Sequence, residues 1–115
     1  MKLHVSPAAL QDMKDISDYI SVTLCNPAAA KRIVKKIIAA YSKLTDQPFM
    51  GVALSSKINV ETPFRYLISG NYLIFYQVND HIEIHRIIYG RRDYIKMLFT
   101  NNDIENGNLP EDALD

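Results

Sequence analysis

Cysteine occurs once in this 115-residue chain, at position 25, so no disulfide can close within it and packing alone must hold the fold. A lone cysteine is compatible with a reducing compartment, and Cys25, at an expected helix end, reads as a small structural residue before it reads as a nucleophile. Tryptophan is absent and the four glycines stand at 51, 70, 90 and 107, so neither a P-loop nor a dinucleotide fingerprint can be written on the chain. No nucleotide cofactor is expected. Histidine is scarce as well: His4, His81 and His85 are the three present. On one strand the last two would stand roughly 13 Å apart at about 3.3 Å per residue, too far to share a metal ion, so no metal site is expected. Met1 to Ser6 contains no apolar core of an export signal, and the longest apolar run, around Tyr72 to Val78, is far too short to span a bilayer. The expectation is a soluble, cytoplasmic protein with no membrane partner.

Net charge is also lacking, with 13 Lys and Arg against 13 Asp and Glu, but the balance is uneven. Five acids (Asp103, Glu105, Glu111, Asp112, Asp115) follow Phe99 without a single Lys or Arg among them, which leaves residues 1–99 with 13 bases against eight acids. The body is basic and the end acidic. With 48% hydrophobic and 23% charged residues the length suits one domain, able to bury roughly two thirds of its chain surface in a single core.

Leu3, His4 and Val5 form a short apolar strand that stops at Ser6-Pro7, a helix start with Ser at the N-cap and Pro in the first turn. Leu10, Met13, Ile16, Ile20 and Leu24 then recur every three or four residues, with Gln11, Asp12, Lys14, Asp15 and Asp18 on the other face. Asn26-Pro27 repeats the start signal, and Ala30, Ile33, Val34, Ile37, Ile38, Tyr41 and Leu44 carry a second helix to about Thr45. The short connection makes these an antiparallel hairpin that needs a further layer to cover its apolar stripes. Phe64–Ser69, Tyr72–Val78 and Ile82–Tyr89, separated by Ser69-Gly70-Asn71 and Asn79-Asp80, read as a three-stranded meander with Tyr72–Val78 in the middle. Val52 to Ile58 reads as either a further strand or an irregular connection. Gly90 ends the last strand, residues 91–99 suit a short C-terminal helix with Ile95, Leu98 and Phe99 inward, and residues 100–115 form an acidic, flexible tail. The expected architecture is therefore α+β: an N-terminal strand, a helical hairpin on a small antiparallel sheet, and a short C-terminal helix. One domain spans 1–99, with the tail at 100–115.

The second half concentrates cations and aromatics: Lys57, Arg65, Tyr66, Tyr72, Tyr76, His85, Arg86, Tyr89, Arg91, Arg92, Tyr94 and Lys96. RNA cleavage through the 2′-hydroxyl needs a base, positive charge on the phosphorane and an acid for the leaving oxygen. Arginines meet the second need, one well-placed donor being worth around 3 kcal/mol, and Tyr or His meets the others. Plainer readings stand beside these. Arg65 also reads as an edge-strand residue paired with Glu83 or Glu61, the strand tyrosines as core, and Lys31, Arg32, Lys35 and Lys36 as the solvated face of the second helix.

The segment RYLISGNYLIFYQVNDHIEIHRIIYGRRDYIKMLF (Arg65 to Phe99), preceded by two proline-capped helices, resembles the RelE/ParE superfamily of toxins from bacterial type II toxin–antitoxin modules, over essentially residues 1–99. The resemblance implies a sheet packed on a helical hairpin, a basic concave face and a cognate antitoxin that neutralises the toxin. Within that superfamily some members enter the ribosome and cleave mRNA, while the ParE branch inhibits DNA gyrase without being a nuclease. On the ribonuclease reading, taken as the leading one, Arg65, Arg92 and Tyr94 are the catalytic residues, and Lys57, Arg86, Arg91 and Lys96 hold nucleic acid; no metal or other cofactor is implied, and the partners are ribosome and mRNA. Leu73, however, stands where active ribonucleases of the family often place another arginine, and the lysine-rich segment before it is reduced to Lys57. The alternatives are a ParE-type gyrase inhibitor and a decayed toxin that retains antitoxin binding alone.

Overall fold

The computed structural model describes residues 1–90; the expected helix over 91–99 and the acidic segment 100–115 lie outside the described residues. β1 (Leu3–Val5) turns at Ser6 directly into α1 (Pro7–Asp18), which a π-helical turn over Tyr19–Thr23 prolongs. α2 (Pro27–Ser42) follows, closed by a 3₁₀ turn at Lys43–Thr45. β2 (Val52–Ala53), the single-turn α3 (Ser55–Ile58), β3 (Arg65–Ser69), β4 (Tyr72–Val78) and β5 (Ile82–Tyr89) complete the described fold.

Both helix starts work as their sequences indicate. The Ser6 hydroxyl accepts from the Ala9 N–H at 3.0 Å and the Asn26 side chain accepts from Ala29 N–H at 3.1 Å, each beside a proline whose missing N–H costs the helix nothing. The same Ser6 hydroxyl donates to the His85 carbonyl at 2.8 Å, tying the start of α1 to β5. Between the helices Cys25 adopts a left-handed conformation with φ 53°, and it is exposed.

The five strands form one sheet in the order β1-β5-β4-β3-β2, which puts β4 at the centre as its apolar run requires. The expected three-stranded meander β3-β4-β5 is antiparallel throughout, and the sheet is mixed because at one edge β1 lies parallel to β5 with Leu3 beside Ile82 and Val5 beside Ile84. β1 feeds α1 through Ser6, whose N–H donates to the Ile84 carbonyl and whose hydroxyl donates to the His85 carbonyl, so the end of β1 and the start of α1 are held at one point of β5. Val52 to Ile58 proves to be both short strand and helical turn, separated by Leu54.

The sheet is covered on both sides. Against the helices lie Leu67, Ile74, Tyr76, Ile82, Ile84 and Ile87, packed on Ala9, Met13, Ile37, Tyr41 and Leu44. Against the other side lie Leu73, Phe75 and Ile88, packed on Leu54, Ile58 and Phe64. Ile84 and Ile87 share the helix-side core although they are three residues apart, which strict alternation forbids. A bulge resolves the conflict: Phe75 pairs with Arg86 and Tyr76 with Ile84, leaving His85 as the extra residue that resets the alternation.

Candidate functional site

The sequence placed its candidates along β3, β5 and the exit of the sheet. Arg65 begins β3, opposite Tyr76 of β4. Cross-strand partners share a face, and Tyr76 belongs to the helix-side core, so the Arg65 side chain leaves the sheet toward the loop that follows α2. There one Nη donates to the Phe49 carbonyl at 3.1 Å and the Gly51 carbonyl at 2.7 Å, and the guanidinium carbon lies 5.4 Å from the centre of the Phe49 ring. Its Nε is shielded from solvent and meets no acceptor among the described residues. Arg65 therefore grips backbone, and neither Glu83 nor Glu61 pairs with it. The same loop is fixed from below by the Gly51 N–H, which donates to the buried Tyr76 hydroxyl at 2.9 Å. Only glycine fits there: a Cβ at position 51 would meet that hydroxyl at 2.5 Å and the Tyr66 carbonyl at 2.6 Å.

Arg86 is engaged too. Its Nε and one Nη donate to the two carboxylate oxygens of Asp12 at 2.7 and 2.9 Å, with both side chains largely buried. Asp12 also accepts from the Ile87 N–H at 2.9 Å. β1 has ended by this point, so the carboxylate takes over at the β5 edge and joins it to α1. Hydrogen bonding to Asp12 raises the Arg86 pKa further above its usual value. Beside it, His85 lies against the Phe64 ring with centroids 4.7 Å apart. Burial, reinforced by the neighbouring Arg86 charge, lowers its pKa and favours the neutral imidazole.

Lys57 is exposed on α3, and Leu73 is buried in the apolar cluster beneath that turn. The basic concave face implied by the resemblance is thus, among the described residues, filled by Leu54, Ile58, Phe64, Leu73 and Phe75 rather than lined by arginines. Arg91, Arg92, Tyr94 and Lys96 lie outside the described residues. No cluster of three or more His, Cys, Asp or Glu among the described residues has metal-binding geometry, and no helix there is long and apolar enough to cross a membrane.

Nothing in the sequence singles out Asp12, Gly51 and Tyr76 as fixing this region. Asp12 looks like one of several polar residues on the outer face of a helix, with no mark of its strand partner. The one usable signal is the spacing Ile82-x-Ile84-x-x-Ile87-Ile88, whose broken alternation marks the bulge. A further feature is an apolar groove of about 600 Å³ at the tip of the hairpin, where Ile16, Tyr19, Ile20 and Leu24 face Tyr72 and Tyr89. Tyr19, Leu24 and Tyr89 are each more than half exposed, and such contiguous apolar surface is a common mark of contact sites.

A helical hairpin on a sheet in this order is the fold of a solved chain described as the chromosomal ParDE TA system from P. aeruginosa. The two align with a TM-score of 0.66 over 78% of this chain and 96% of that one, at 22% identity. At that identity the likeness shows the fold alone. Sequence settles the family: the profile described as "ParE toxin of type II toxin-antitoxin system, parDE" matches residues 3–94, and the chain belongs to that family. No curated protein sequence gives a significant match. The family is ParE, and the expected RelE-type mRNA interferase finds no support in it.

Proposed function

We propose that this chain is the toxin of a type II toxin–antitoxin module and arrests growth by binding DNA gyrase, with a cognate antitoxin as its neutralising partner. Membership of the ParE family over residues 3–94 carries the reading. The placement of the arginines supports it. A phosphate-stabilising arginine must offer its N–H groups to the substrate, whereas one Nη of Arg65 is committed to the Phe49 and Gly51 carbonyls and Arg86 binds Asp12 bidentately; Arg92 lies outside the described residues. Leu73, buried where the ribonucleases often carry another arginine, points the same way. The chain then works by surface recognition, with Arg65 and Arg86 holding that surface in shape.

Induction of the gene without its antitoxin tests this. DNA breaks and an SOS response with intact messages are the expected result. Prompt translation arrest with cut messages would restore the ribonuclease reading, and unaffected growth would mark a decayed toxin.

A further inference from the structure

The solvent face of α2 has a charge pattern that the helix itself disfavours. Lys31, Arg32, Lys35 and Lys36 are all exposed, and Pro27–Ser42 contains no acidic residue at all. Lys31 with Lys35 and Arg32 with Lys36 are like-charged pairs four residues apart on one helix, an arrangement that destabilises it. The helix dipole gives nothing back, because its first turn holds no acid and its last turn no base. None of the ion pairs among the described residues involves these four side chains. Asp18 is the one acid in the adjoining groove that Lys31 and Lys35 help to line, and Lys14 stands there with it. A face that only needed solubility would mix the signs; this one repels itself until an anion arrives.

We infer that this face of α2 is a docking surface for the phosphate backbone of duplex DNA, bound without regard to sequence. Two features favour a phosphate backbone over an acidic protein. The outer face is lined by Ala28, Lys31, Arg32, Lys35, Lys36 and Ala39, and the alanines leave room for close approach; large apolar side chains such as Leu10 and Ile38 enter only at its edge, in the adjoining groove that Lys31 and Lys35 share. The charge density also matches. At about 1.5 Å per residue the four cations fall within roughly 7.5 Å of helix, and B-DNA presents about one phosphate per 1.7 Å of axis with both strands counted, or about four over that length, two on each strand flanking a groove. The choice of DNA over RNA rests on the gyrase reading, since gyrase holds DNA; the match to phosphate does not.

Fluorescence anisotropy of the purified full-length chain with a short labelled DNA duplex, over a salt series and without gyrase, tests the inference. Gyrase inhibition measured separately keeps failure of the gyrase reading distinguishable. The wild type should bind with a log–log salt slope of about −3 to −4, at roughly 0.9 per phosphate neutralised. Lys31→Ala/Lys35→Ala should reduce the magnitude of that slope by about 2. Lys2→Ala/Lys43→Ala, which removes the same charge from exposed positions near the other end of the hairpin, should leave it in place. Circular dichroism of both variants checks that the helices persist. No binding at low salt, or equal loss in both variants, overturns the inference. So does tighter binding of an RNA duplex, or stripe-dependent binding of poly-glutamate in place of DNA.

Discussion

The two sides of the sheet are built by different means. On one side two regular helices present apolar stripes at intervals of three and four, and Met13, Ile37, Tyr41 and Leu44 meet Ile74, Tyr76 and Ile84. On the other a single helical turn and an aperiodic stretch supply Leu54, Ile58 and Phe64 to cover Leu73, Phe75 and Ile88. Both leave their central residues sealed, Ile74 and Phe75 each at 0% exposure. Regular secondary structure is thus one route to a sealed face, and an irregular segment with a single helical turn is another.

Phe75→Ala tests whether the irregular cover is true core. Truncating a buried Phe costs about 3–5 kcal/mol when its surroundings cannot collapse, so denaturant unfolding of this variant should match that of a helix-side truncation such as Ile74→Ala in order of magnitude. A loss below about 1 kcal/mol would mean that the 54–64 segment is a loose flap. Next in size comes Asp12→Ala, which removes the bidentate partner of Arg86 and the acceptor of the Ile87 N–H. About 2–3 kcal/mol is expected, and retention of most of it in Asp12→Asn would show that the hydrogen bonds outweigh the charge.

Gly51→Ala should cost about 2 kcal/mol, because the new methyl group must displace the Tyr76 hydroxyl or the Tyr66 backbone. Arg65→Lys keeps the charge but loses the planar donor set, and is expected to cost about 1 kcal/mol while toxicity tracks the remaining folded protein. Toxicity abolished by Arg65→Lys at unchanged stability would put Arg65 back into the chemistry.

The smallest effect is a pair of opposed pH dependences, one just before β5 and one within it. Hydrogen bonds donated by its imidazole to the Asp80 and Glu83 carboxylates raise the His81 pKa, so its contribution is fully present below the unfolded value of about 6.5 and fades as pH rises through the raised folded value. His85 is shifted down by burial, so stability is lost as pH falls from about 6.5 through its lowered folded value. Melting curves between about pH 8 and pH 5 should show His85→Asn less sensitive to acid than the wild type and His81→Asn more so. Reversed slopes would mean the two environments are misassigned.

What the sequence made legible follows the same division. Ser6-Pro7, Asn26-Pro27 and the apolar stripes marked both helices, and Tyr72–Val78 and Ile82–Tyr89 appear as strands over those spans. These signals are periodic, and periodicity survives without knowledge of partners. The parallel pairing of β1 and the cover over Phe75 depend on contacts between distant residues, which no local pattern encodes. The role of Arg65 was hidden for the same reason: its acceptors are main-chain carbonyls, at Phe49 and Gly51, and any residue type supplies those. An arginine on a strand looks alike whether it faces phosphate or backbone.

Incubation of the purified chain with DNA gyrase, ATP and relaxed plasmid tests the gyrase assignment most directly. Loss of supercoiling with accumulation of broken DNA, reversed by the antitoxin, is the expected result. Gyrase that supercoils normally in an excess of toxin, while ribosome-bound messages are cut by the same preparation, would contradict it.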